Sequence, residues 1–100
     1  MLNNLVLVGR IANIEERGTY NEITTTIVTV AVPRSYKNIE GVYETDFIPC
    51  VLYNGIAKNT MENCKKGDTI GIKGKVQMKE NELNIIADKV TFLSSKAKED

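Results

Sequence analysis

The side chains of this 100-residue sequence suit binding better than bond-breaking. Histidine is absent, which removes the commonest general base and the usual partner of a Ser or Cys nucleophile. Cys50 and Cys64 lack CxxC spacing and, without histidine, complete no zinc site, so free buried thiols are expected and no metal or cofactor. The glycines of Gly67-Asp68-Thr69-Ile70-Gly71-Ile72-Lys73-Gly74 do not spell GxxxxGK[ST] and punctuate a β-rich run. A metal-dependent nuclease needs clustered carboxylates, whereas Glu15-Glu16, Glu44 with Asp46, and Glu80 with Glu82 fall in separate turns or strand ends. An enzyme is not expected.

What remains is rings set among cations. Tyr36 stands between Arg34 and Lys37; Phe47 and Tyr53 share a strand; Lys73, Lys75 and Gln77 alternate along another, with Lys79 just beyond. Rings stack on planar bases whatever their identity, and cations neutralise phosphates with release of counterions. Each feature has a plainer use. The rings could pack under a loop or in a subunit interface, and the lysines could form a solvated outer face.

The elements that must position these residues follow from periodicity. Residues 5–11 are β-branched and apolar enough for a buried strand, with Gly9 marking a bulge or a close backbone contact. Arg17-Gly18-Thr19-Tyr20-Asn21 supplies a turn, residues 23–32 form a strand dense in Thr, Val and Ile, and Pro33 is expected to end it. A polar loop over 34–41 leads into a third strand over 42–53. Period-2 alternation puts Ile48, Cys50 and Leu52 inside and Phe47, Pro49, Val51 and Tyr53 outside, with the two rings about 20 Å apart at roughly 3.3 Å per residue. Pro49 lacks an N–H, so a bulge or a locally unpaired edge is expected there.

Residues 54–64 repeat apolar positions at three- and four-residue steps and predict one short helix, closed by Lys65-Lys66 at its end and Gly67 as an αL cap. Strands over 69–78 and 83–93 follow, joined by a tight hairpin at Lys79-Glu80-Asn81-Glu82. On the fourth strand Ile70, Ile72, Val76 and Met78 face one way and Lys73, Lys75 and Gln77 the other. Five strands with a helix between the third and fourth describe an all-β, five-stranded OB-fold barrel, a shape that often holds oligonucleotides.

Composition sets the limits. One domain over 1–93 with a short polar tail over 94–100 fits the length, and 42% apolar with 26% charged residues suits a folded globular chain. Thirteen basic and thirteen acidic residues cancel, so placement rather than bulk charge must decide the partner. The apolar stretch 5–8 is far short of the roughly 20 residues of a membrane span, and nothing before it resembles a signal peptide. A cytoplasmic protein without a membrane or small-molecule partner is expected.

Four ordered segments carry a specific resemblance: Met1-Leu2-Asn3-Asn4-Leu5-Val6-Leu7-Val8-Gly9-Arg10, Ala31-Val32-Pro33-Arg34-Ser35-Tyr36-Lys37-Asn38, Thr45-Asp46-Phe47-Ile48-Pro49-Cys50, and Lys65-Lys66-Gly67-Asp68 followed by Gly74. Over residues 1–93 the sequence resembles the bacterial single-stranded DNA-binding proteins. The resemblance implies an OB-fold subunit of a homo-oligomer, usually a tetramer, around which single-stranded DNA wraps in replication, recombination and repair. Tyr36, Phe47 and Tyr53 match positions where the family stacks bases, often on Trp, and Arg10, Arg34, Lys37, Lys73 and Lys75 fall where cations meet phosphates. The hairpin after the fourth strand is shorter than the family's and lacks its aromatic, which implies fewer nucleotides per subunit. The family's long tail with an acidic, Phe-containing tip is not matched by Lys96-Ala97-Lys98-Glu99-Asp100. Two other readings stay open: an accessory interaction subunit with weak DNA affinity, and RNA binding by the same surface.

Overall fold

The computed structural model describes residues 1–95. Its elements run β1 (Leu5–Tyr20), β2 (Ile23–Lys37), β3 (Tyr43–Tyr53), α1 (Asn54–Asn63), β4 (Thr69–Lys79) and β5 (Glu82–Ser94). The strands close into a barrel in the order β1-β2-β3-β5-β4, the OB-fold expected from element order. β1 makes this closure possible by serving two partners: residues 5–10 pair with β4, and residues 10–20 pair with β2.

Alternation in β2 and β3 builds the core. Thr26, Val28 and Val30 point in from β2, and Cys50 and Leu52 from β3. Ile11, Ile70 and Ile72 meet them, and Ala57 and Thr60 of α1 are buried. Burying a Leu, Ile or Val side chain contributes roughly 1.5–3 kcal/mol, so these residues carry much of the stability. Gly9 is buried where an added Cβ would collide with the Ala31 carbonyl and the Val30 side chain, and Gly74 faces the Ile86 carbonyl in the same way. Gly9 is therefore the close backbone contact, one of the two uses expected of it.

Several boundaries differ from expectation. The first strand continues past Ile11 to Tyr20, taking up curvature at register shifts between Ile11 and Asn13 and between Glu16 and Gly18. The turn is only Asn21 and Glu22, both at positive φ, as a two-residue hairpin requires. Glu80 and Asn81 turn the β4–β5 hairpin in the same way. Pro33 does not end β2. It keeps its pairing with Thr45, and the register breaks between it and Lys37, so a proline with no N–H stands at the last regular rung. The loop expected over 34–41 shrinks accordingly, and Tyr36 lies on a strand.

At Pro49 the β2–β3 register is unbroken, so no bulge forms. β3 meets β5 only at Cys50 and Val51, which leaves Pro49 on an unpaired stretch of that edge, the second of the two expectations. The helix ends at Asn63, with no basic residue in its last turn. Lys65 and Lys66 lie beyond it, and Gly67, at φ 97°, turns the chain into β4 instead of capping α1. The Gly67 N–H donates to the Ile11 carbonyl and the Ile11 N–H to the Asp68 carbonyl, both at 2.9 Å. The tail expected from residue 94 begins inside β5, and its residues 96–100 lie outside the described part.

Candidate nucleic-acid interface

Inward-facing residues of β2 and β3 leave a complementary outer row on each strand. Thr25 stands opposite Tyr53, Ile27 opposite Val51, Thr29 opposite Pro49 and Ala31 opposite Phe47. Eight consecutive outward positions thus hold two aromatics, aliphatic groups and threonines, with no charge. Phe47 is 63% exposed and Tyr53 38%. The spacing of about 20 Å between them follows from six steps of extended chain. A ring left in water on a flat, uncharged sheet offers its face to another planar group.

Cations stand at both ends of this strip. Arg10 pairs with Ala31, which pairs with Phe47, so Arg10 lies two strand spacings, roughly 10 Å, from Phe47. A shallow pocket of ≈ 340 Å³ lies there, with Arg10, Ala31 and Thr45 in its lining. At the other end Tyr53 and Val51 line a groove of ≈ 290 Å³ shared with Arg17 of β1, Gln77 and Lys79 of β4, and Asn84 of β5. The β1–β2 and β4–β5 hairpins form its walls.

The remaining expected cations are not gathered on the strip. Arg34 is bound to the carboxylates of Asp46 and Glu44. Its hydrogen bonds to Asp46 raise its own pKa and hold the Asp46 carboxyl below the usual carboxylate range. The Lys37 ammonium sits 5.6 Å from the centre of the Tyr43 ring. Tyr36 is exposed on the arm beyond Pro33, outside the strip, and the two cations that flank it in sequence are turned to their own chain. Lys75 approaches Asp88 at 3.7 Å. Lys73 stands between Val6 on β1 and Lys89 on β5, on another part of the barrel.

Two relevant residues, Tyr20 and Arg17, were missed, and a third, Lys79, was noted without being assigned a role. Tyr20 opposes Ile23, an outward position of β2, and is 81% exposed, so it extends the aromatic row beyond Tyr53. Arg17 and Lys79 reach the groove because their hairpins project past the barrel. Strand alternation had flagged Lys79, but nothing local in the sequence showed that the first strand continues far enough to carry Arg17 and Tyr20. Cys50 is fully buried and its thiol is pushed up to about 11; Cys64, partly buried, is also raised, by burial and then by Asp68. Both are free. No three His, Cys, Asp or Glu side chains among the described residues form a metal-binding group, and no described helix is long and apolar enough to cross a membrane.

Known proteins resemble this chain over nearly its whole length. Residues 2–93 match the model of the Single-strand binding protein family. Single-stranded DNA-binding protein B of Bacillus subtilis (strain 168) is 36% identical over 109 residues, covering 99% of this chain and 96% of that protein. Single-stranded DNA-binding protein 3 of Listeria innocua is 39% identical over 106 residues, and there this chain spans 66% of the relative's length. Among solved structures, the dimeric structure of the N-terminal domain of PriB protein from Thermoanaerobacter tencongensis superposes with a TM-score of 0.71 at 18% identity, over 93% of this chain and 98% of that one. At that identity the likeness is one of fold.

Proposed function

Because this chain belongs to the Single-strand binding protein family, we propose that it binds single-stranded DNA without reading its sequence and serves replication, recombination and repair in the cytoplasm. The observation that carries this reading is the uncharged outer strip of β2 and β3, with Phe47 and Tyr53 exposed on it in register. Bases stack on the two rings, each contact contributing about 1–3 kcal/mol irrespective of base. Tyr36, exposed on the arm, takes a further base. Arg10 at one end and Lys79 at the other meet phosphates. The protein performs no chemistry on the strand.

It works as a homo-oligomer. Val6, Val8 and Leu93 are 71%, 52% and 50% exposed, and a Cβ placed on Gly71 would touch both Val8 and Leu93. This apolar face on β1, β4 and β5 lies apart from the strip, so a second copy can cover it while the rings stay free. The PriB neighbour is described as dimeric. Fluorescence anisotropy with labelled oligo-dT at low salt tests the function. Micromolar or tighter binding that weakens with salt is expected, and absence of binding refutes it. An RNA oligomer as competitor decides whether the same surface prefers a 2′-hydroxyl.

A further inference from the structure

The arm that carries Tyr36 begins at a cation, Arg34, three of whose five N–H donors are held by carboxylates. The Arg34 Nε donates to Asp46 Oδ2 at 3.1 Å, its Nη2 to Asp46 Oδ1 at 2.9 Å, and its Nη1 to Glu44 Oε1 at 2.7 Å. Glu44 is fixed in turn, since its other oxygen accepts from Asn38 Nδ2 at 3.1 Å, and the Asn38 side-chain Oδ1 accepts from the Glu40 and Val42 N–H groups. All three charged side chains remain partly in water, at 39–47% exposure. A backbone phosphate grips a guanidinium through the same two-pronged geometry that Asp46 uses. Asp46 precedes Phe47, the ring at this end of the strip, in β3, so its side chain leaves the opposite face of the sheet and the Arg34 cluster borders the strip from that other side.

We propose that Glu44 and Asp46 mask a phosphate site on Arg34, occupying its two-pronged Nε/Nη2 edge and one Nη1 donor in place of the DNA backbone and leaving this corner with a net negative charge. The inference rests on the DNA-binding reading of the adjoining strip. Its consequence is positional: the phosphate track stops short of the arm, and the strand meets Phe47 and Tyr36 through its bases. Glu44 and Asp46 are thus positioning residues that shorten the footprint.

The test is the double variant Glu44→Gln/Asp46→Asn, which keeps shape and hydrogen-bonding oxygens and removes two charges. Anisotropy titrations of oligo-dT against salt read affinity and slope together. Unmasking one cation should steepen the slope of log affinity against log salt by about 0.7. The variant's advantage over wild type should therefore grow about fivefold between 1 M and 0.1 M salt. Adding Arg34→Ala to the double variant should return the wild-type slope, whereas Arg34→Ala alone should leave the slope unchanged. A merely structural role for the carboxylates would weaken binding without steepening it.

An unchanged or shallower slope in the double variant overturns the proposal, as does a flatter slope in Arg34→Ala alone; wild-type binding in the same series leaves the function intact. If wild type does not bind oligo-dT, the functional reading fails separately. The mask is then read with pyrophosphate alone by the NMR shift of Arg34 Nε–H, which should move in the double variant and not in wild type. Movement of the wild-type signal to the same extent overturns it.

Discussion

Replacing Phe47 by Ala separates stacking from every other source of affinity. The ring is 63% exposed, so only about a third of its surface is covered by the sheet. Taking roughly 200 Å² for a Phe side chain and about 25 cal/mol per Å², the loss of that contact costs at most about 2 kcal/mol of stability. A domain with the usual stability of roughly 5–15 kcal/mol survives this. Binding should suffer more selectively: one lost stacking contact, about 1–3 kcal/mol, weakens oligo-dT binding about 5- to 150-fold. Phe47→Leu keeps apolar area and loses the flat face, so it should lose most of the same affinity with less effect on stability. Anisotropy titrations at several salt concentrations, beside chemical denaturation of the free protein, measure both quantities. The salt slope should not change, because a ring neutralises no phosphate. Wild-type affinity in both variants, or an affinity loss accompanied by a flatter slope, would refute the assignment of Phe47 as a stacking platform.

Three further outcomes are expected. The chain contains no Trp, so Tyr20→Trp introduces a single indole reporter at the hairpin tip; oligo-dT long enough to pass Tyr53 should quench it, and a saturated complex with unaltered emission would remove Tyr20 from the row. Burial pushes the Cys50 thiol from 9.0 up to about 11, so between those pH values the unfolded chain sheds a proton that the folded chain keeps. Stability should therefore fall as pH rises through that window, and Cys50→Ala should lessen the fall when denaturation midpoints at pH 8 and pH 10.5 are compared; identical pH dependence in both proteins would contradict it. Val8→Asp places a charge in the apolar face of β1, β4 and β5, and light scattering should show the oligomer reduced to smaller species with the anisotropy of short oligo-dT nearly preserved.

The order of elements was legible because each strand of the core repeats with period two and the helix between β3 and β4 breaks that period. The inner set Ile48, Cys50 and Leu52 and the outer set Phe47, Pro49, Val51 and Tyr53 follow from alternation alone, which is why the β3 half of the strip was legible in the sequence. What local patterns could not reveal were features decided across strands. β1 reads as a strand only to Ile11, because beyond it Glu15, Glu16 and Arg17 lie on a projecting hairpin with no core to demand apolar partners. Pro33 looks like a terminator, yet the register break with β3 supplies the place where its missing N–H is tolerated. The cations were judged by sequence neighbours, whereas their partners come from the facing strand: Arg34 finds Asp46 twelve residues away, and Lys75 finds Asp88.

These pairings also explain how a chain with thirteen positive and thirteen negative side chains can hold a polyanion. Arg17 binds Glu15 at 3.0 Å, Arg34 is masked, and Lys75 leans on Asp88, so these charges cancel locally. Arg10 and Lys79, at opposite ends of the strip, make no salt bridge with any described residue. A strand lying along the strip with one phosphate at each of them should show a slope of about −1.4 in log affinity against log salt, at about −0.7 per contact. A family of contacts using all the cations named from sequence (Arg10, Arg34, Lys37, Lys73 and Lys75) would give a slope near −3.5 on the same scale. The two are readily told apart by titration between 0.05 M and 0.5 M salt. A steep slope would mean that the ion pairs open on binding and that electrostatics, not stacking, holds the strand. A shallow slope, with affinity surviving at high salt, is what an uncharged aromatic strip demands.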